Sequence, residues 1–143
     1  MSEVDVFSTT LQKTSEWLRD IRKQLGWESD QRAYQALRAV LQTIRDRLPA
    51  IEAVHLGSQL PMLIRGMYYE GWSPLDKPIK FTRDEFLMCV ATYLPNDPEI
   101  YIVPMVRTVV EVMIAHTDPG QINKIARLMP KEFADFWPLG VLG

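Results

Sequence analysis

The chain has 143 residues, 47% of them hydrophobic, which is enough length and apolar content for one domain built around its own core. Its single cysteine, Cys89, excludes an intramolecular disulfide and metal motifs built on paired cysteines. A formal net charge of -2 gives no electrostatic reason to expect nucleic acid or an acidic membrane as partner.

Met1-Ser2-Glu3-Val4-Asp5-Val6 lacks the basic start and apolar core of a secretory signal, and no later run approaches the about 20 apolar residues of a membrane span. A soluble, cytoplasmic protein is expected. The first periodic segment, Trp17, Leu18, Ile21 and Leu25 with Arg19, Asp20, Arg22 and Lys23 opposite, predicts an amphipathic helix. Thr9-Thr10-Leu11-Gln12 fits a capping box that would open it near Thr9, and Gly26 fits its end. Ala33, Tyr34, Leu37, Val40, Leu41, Ile44 and Leu48 predict a second helix over 30–48, stopped by Pro49. Arg32, Arg38, Arg45 and Arg47 are expected on its solvated side, Arg38 and Arg45 on one face. Pro49 then opens a short third helix through Ala53 and Leu56, and Pro61 a fourth through Ile64 and Tyr68.

Gly71, Pro74 and Pro78 break the helical period and predict a linker over 71–81. After it, Thr82-Arg83-Asp84-Glu85 is a full capping box for a helix containing Phe86, Leu87, Val90 and Leu94. Asp97-Pro98-Glu99 predicts the start of the next, through Val103, Val106, Val109, Val110 and Met113, with Pro104 in or near its first turns. Asp118-Pro119-Gly120-Gln121 repeats that start for a helix through Ile122 and Ile125, and Pro130 opens a last one ending at Trp137-Pro138.

A constant shift of 69 residues lays one half on the other, pairing Trp17 with Phe86, Ile21 with Val90, Leu37 with Val106, Pro61 with Pro130, Ile64 with Phe133 and Tyr68 with Trp137. Identities are few, but the order of landmarks recurs in one register, which predicts duplication. The expected fold class is all-α: a compact multi-helix bundle from two tandem, internally duplicated halves of about four helices each. The halves span 8–70 and 82–138, joined by the linker 71–81 within a single domain 1–143.

Chemistry is sparse. His55 and His116 are the only histidines, neither has a second histidine or a cysteine at helical metal spacing, and His116 is expected to act on a helix C-terminal dipole. Cys89 is expected to be a buried, inert thiol. No phosphate loop, nucleophile elbow or acid/base dyad stands out, so no catalytic residue, metal or cofactor is predicted. The unusual patch is 59–72, where Gln59, Arg65, Tyr69 and Trp72 have no counterpart in the second half. Arginine among aromatics is enriched at interface hot spots, and the same residues fit a stack that fastens the linker to the bundle.

That patch, Gln59-Leu60-Pro61-Met62-Leu63-Ile64-Arg65-Gly66-Met67-Tyr68-Tyr69-Glu70-Gly71-Trp72, resembles the signature of a bacterial domain-of-unknown-function family, number 2267. The Phe86 helix and the ending from Met129-Pro130 to Phe136-Trp137 are similar to the family's second half. The resemblance implies a small, cytoplasmic, all-helical bacterial protein and supplies no catalytic residues.

The leading functional expectation is an interaction module with a protein partner or a second copy, its binding residues being Gln59, Arg65, Tyr69 and Trp72. The alternative is a bundle that binds a small molecule where the two halves meet. The third, an enzyme without a recognisable motif, requires the fold to gather Arg38, Arg107, His55 and His116.

Overall fold

Residues 39–45 are all buried, so the second helix has no free face along those turns; a helix hidden all round lies at the centre of its fold. The computed structural model describes residues 4–137. Among them are α1 (Asp5–Leu25), α2 (Asp30–Arg47), α3 (Ala50–Ser58), α4 (Met62–Tyr69), α5 (Arg83–Thr92), α6 (Ile102–His116), α7 (Pro119–Leu128) and a 3-10 turn over Lys131–Phe133, with no strand. Helices α1, α4, α5 and α6 pack around α2, and α3 packs on α4 and α7. One hydrophobic cluster runs from Trp17 and Ile21 through α2 to Phe133, Phe136 and Trp137, so both halves share a core. The all-α bundle is as expected, and residues 70–82 form the irregular connection between α4 and α5.

The element order recurs under the 69-residue shift. Helix α2 ends at Arg47 and α6 at His116, while α3 starts at Ala50 and α7 at Pro119. Packing follows the same rule: α1 lies on α6 as α2 lies on α5, and α3 meets its own counterpart α7. There Gln121 donates from Nε2 to Glu52 Oε2 at 3.5 Å, two positions related by the shift. The ends differ, because the turn at Lys131–Phe133 stands where the first half has α4. What recurs is order, packing and the junctions between α2 and α3 and between α6 and α7, whereas α1 with 21 residues is longer than α5 with 10; descent from one ancestral half is an inference from that recurrence.

Several sequence expectations are corrected. Helix α1 opens at Asp5, with Val4 as its cap residue, so Thr9 and Gln12 lie inside the helix and form no capping box. Asp5 in the first turn complements the helix dipole instead. Thr10 serves another helix: its hydroxyl accepts the Leu63 N–H at 2.9 Å, satisfying a free donor of α4. Proline 61 cannot do so, since it is the cap residue of α4 and has no side-chain acceptor, and Pro49 likewise caps α3 rather than occupying its first position. Helix α5 stops at Thr92, leaving Leu94 beyond its end, and Pro130 opens a single 3-10 turn rather than a helix. Proline 138 lies outside the described residues.

Asp97-Pro98-Glu99 does not start a helix either. The Asp97 carboxylate accepts the Glu99 N–H at 2.9 Å and the Arg32 guanidinium at 2.7 Å, so its capping capacity is spent on a turn and an ion pair to α2. Helix α6 begins at Ile102, which places Pro104 in its first turn, where a missing N–H costs nothing. By contrast, the Thr82–Glu85 capping box and the Asp118 cap with Pro119 behind it form as read, and Gly26 ends α1 at φ 69, a conformation open to glycine.

Arg45 is the largest correction. It is 3% exposed rather than solvated, because the face it shares with Arg38 lies under the C-terminal end of α4. Its Nη1 donates to the carbonyls of Tyr68 (2.8 Å) and Glu70 (3.0 Å), while Nε and Nη2 form a fork to Asp46 at 2.9 and 3.1 Å. Next to it the Tyr68 hydroxyl donates to Ala53 O at 2.6 Å, and burial pushes its phenol above the ordinary tyrosine range. Gln42 donates to Met67 O at 2.8 Å, so α2 and α4 are joined by polar contacts across a buried seam. At the other end of the molecule, Arg83 holds the 3-10 segment by pairing with Asp135, whose carboxyl that contact keeps below its usual range.

Candidate functional site

The four residues singled out in the sequence fall into two groups. Gln59 and Arg65 lie at the α3–α4 turn. Gln59 Oε1 accepts the Asp118 N–H at 3.3 Å, tying the end of α3 to the start of α7. The Arg65 guanidinium donates to Gly57 O at 3.0 Å, one of the last carbonyls of α3, and to Leu60 O at 2.9 Å in the turn after it. Tyr69 and Trp72 form a separate aromatic ledge, their rings 5.6 Å apart. The Tyr69 hydroxyl lies 3.4 Å from Val54 O, and burial raises its phenol above the ordinary value while Arg65 acts the other way. The Trp72 indole N–H is buried without a partner among the described residues. Three of the four thus bear on α3 and its junctions rather than on the linker.

Gly57 is what lets Tyr69 lie so close to α3. A Cβ at that position would stand 2.3 Å from the Tyr69 hydroxyl oxygen and 2.7 Å from Cζ, so the whole ring must leave. Alanine gains about 1 kcal/mol of helix propensity over glycine, but overpacking costs about 1–3 kcal/mol. Gly57→Ala should therefore destabilise the fold on balance, read as a lowered denaturation midpoint together with altered Trp72 fluorescence.

Gln59 and Arg65 also line a cleft of about 440 Å³ between α1 and the α3–α4 turn. Lys13, Glu16 and Trp17 of α1 form its opposite wall, and His116, at the end of α6, closes one side. The His116 ring stacks on Trp17 with centroids 5.0 Å apart, and its Nε2 lies 2.8 Å from Asp20 Oδ2. The cleft therefore sits where the halves meet. Sequence reading had Trp17 as core and His116 as a helix-end residue and did not single out Lys13, because only the packing of α1 on α6 and α4 brings the three beside Gln59 and Arg65.

The four groups of the enzyme reading do not gather. Arg38 lies over Tyr93 and near Glu70, Arg107 beside Glu111, His55 beside Glu52, and His116 on Trp17 and Asp20, with no shared partner. Cys89 is half-buried rather than enclosed, 3.7 Å from the Thr43 hydroxyl.

A second feature adjoins the cleft. Phe7 and Leu11 on α1 are 49% and 54% exposed, and Met62 and Leu63 at the start of α4 are each 49% exposed. Beside Leu63 the surface sinks into an apolar recess of about 260 Å³ lined by Leu18, Tyr34, Leu37, Ile64 and Met67. Such clustering of large apolar side chains on one face marks interaction surfaces.

Residues 14–136 match the family model described as an uncharacterized conserved protein, DUF2267. The chain belongs to the DUF2267 family. The matched stretch holds the core of this DUF2267 chain apart from Trp137, along with Gln59, Arg65 and His116; Phe7, Leu11 and Lys13 precede it. No curated protein matches the chain, so no activity is carried over from one. Among its described residues no helix is long and apolar enough to cross a membrane.

Proposed function

We propose that this DUF2267 protein is a helical interaction module that docks an amphipathic helix of another polypeptide on the face shared by α1 and α4. The observation behind this reading is the half-exposed set Phe7, Leu11, Met62 and Leu63 on the packed helices α1 and α4, with Leu63 lining the apolar recess. Phe7, Leu11 and Leu18 follow the i, i+4, i+11 register of one helical stripe, and α4 runs against it. Two packed helices leave a trough between their ridges, the shape that accepts a third helix with anchors at i, i+3, i+4 and i+7. Gln59, Arg65, Tyr69 and Trp72 then act beside that face: they hold α3 and the turn into α4, so that Met62 and Leu63 are presented in a fixed place. A cytoplasmic bacterial setting agrees with the family resemblance and with a chain whose one cysteine is unpaired.

Burying a leucine is worth about 1.5–3 kcal/mol, so Leu11→Glu should weaken a complex at least about tenfold. A photo-crosslinker placed at residue 11, and another at residue 63, should trap one and the same helical partner, and Leu11→Glu should abolish the product made from residue 63 while the melting temperature stays put. Formation of that product at undiminished yield in the variant would exclude this face. Trapping of a second copy of the chain, with a dimer seen by light scattering, would replace the heterologous partner by self-association.

A further inference from the structure

The cleft between α1 and the α3–α4 turn carries an inference independent of the apolar face. We propose that it is a binding site for a small organic oxyanion, a carboxylate or a phosphate ester. Its volume, about 440 Å³, falls within the range of metabolite sites. The argument rests on which hydrogen-bonding capacity the fold uses and which it leaves over.

Arg65 brings a full positive charge whose bonds within the chain all go to neutral carbonyls, Gly57 O through Nε and Leu60 O through Nη2. No carboxylate of the described residues pairs with it, and Nη1 is unspent. Lys13 lies on the facing wall, also with no ion pair among the described residues and with its side chain exposed. Gln59 adds a neutral donor whose orientation is settled: a backbone N–H can only meet the amide oxygen, so the bond from Asp118 N–H to Oε1 leaves the NH₂ group free. His116 is clamped by Asp20 through Nε2 and by its stack on Trp17, leaving Nδ1 unpartnered beside the cleft.

Two cations and an amide NH₂ thus face one space, against a single carboxylate, Glu16, on the α1 wall. A donor-rich cleft of this kind matches an oxyanion, whose oxygens accept several charge-assisted hydrogen bonds at once. Glu16 sets the second requirement. It repels a bare anion and accepts from a hydroxyl or ammonium group, so the compound that fits best carries a donor a short distance from its anionic end. Ser58 supports the same polarity, because its hydroxyl donates to His55 O at 2.6 Å and offers the cleft only its lone pairs.

The test uses the full chain labelled with nitrogen-15, titrated separately with inorganic phosphate and with benzoate at low salt. Saturable shifts should be confined to the amides around Lys13, Gln59 and Arg65 and to the Trp17 indole. Saturation by phosphate alone assigns the site to phosphate esters, and saturation by benzoate alone assigns it to carboxylic acids. Lys13→Glu, on an exposed position, should weaken binding at least about tenfold without moving the melting temperature, as loss of a charge-assisted contact predicts. Glu16→Gln should tighten it several-fold, and Lys124→Glu on α7 should leave it unchanged. Absence of saturable shifts at these residues with both probes, or equal affinity in Lys13→Glu, would overturn the proposal.

Discussion

Replacing Arg45 by methionine should lower stability by about 3–5 kcal/mol, measured by chemical denaturation. The loss does not come from the ion pair as such, since a buried pair offsets its own desolvation poorly. It comes from what is left behind. Asp46 loses both prongs of its fork and stays mostly covered, with a side chain 17% exposed. The carbonyls of Tyr68 and Glu70, where α4 ends, lose a charged donor and have no helix neighbour to replace it. Arg45→Met with Asp46→Asn should recover a good part of the loss, because no unpaired charge then remains. If the single substitution costs less than about 1 kcal/mol, Arg45 is solvated after all and the seam between α2 and α4 is held by packing alone.

Phe86→Ala should cost a similar amount, about 3–5 kcal/mol, by a different route. Phe86 is 1% exposed and stacks on Phe136 at 5.2 Å and 14°, with Phe133 at 5.0 Å and Phe81 at 6.4 Å. Removing the ring opens a cavity bounded by three other rings, and planar aromatic walls collapse poorly into the space. The segment from Pro130 to Trp137 contains only one 3-10 turn, so these ring contacts do for it what a helix does for α4. Trp137 is 1% exposed, and its emission should shift to the red in the variant. A red shift before the main unfolding transition would mean that this segment separates first; a single coincident transition would mean that it melts with the bundle.

Local signals were legible and long-range ones were not. The Thr82–Glu85 box and the Asp118-Pro119 start form as read, because every partner lies within three residues. The same Asp-Pro signal at Asp97 fails since Arg32, 65 residues away, takes its carboxylate. Thr9-Thr10-Leu11-Gln12 fails for another reason: α1 already runs from Asp5, so Thr9 lies inside the helix and has no helix start to cap. Arg45 was misplaced because a run of arginines says nothing about which side a third and fourth helix will cover. Gln59 and Arg65, singled out because they have no counterpart in the other half, fall on the wall of the cleft. Lys13 and His116, the groups that turn their neighbourhood into a cleft, have ordinary surroundings in sequence and acquire meaning only where α1 crosses α6.

The enclosure of α2 has a consequence for how such a protein changes over generations. A helix with contacts on every side from Ala39 to Arg45 accepts few substitutions, since each must satisfy several neighbours at once. The outer helices carry no such burden: Phe7, Leu11 and Lys13 can be exchanged at little cost to the core. On the proposed reading, drift in partner or ligand preference can proceed along the first turns of α1 while the axis beneath it stays as it is.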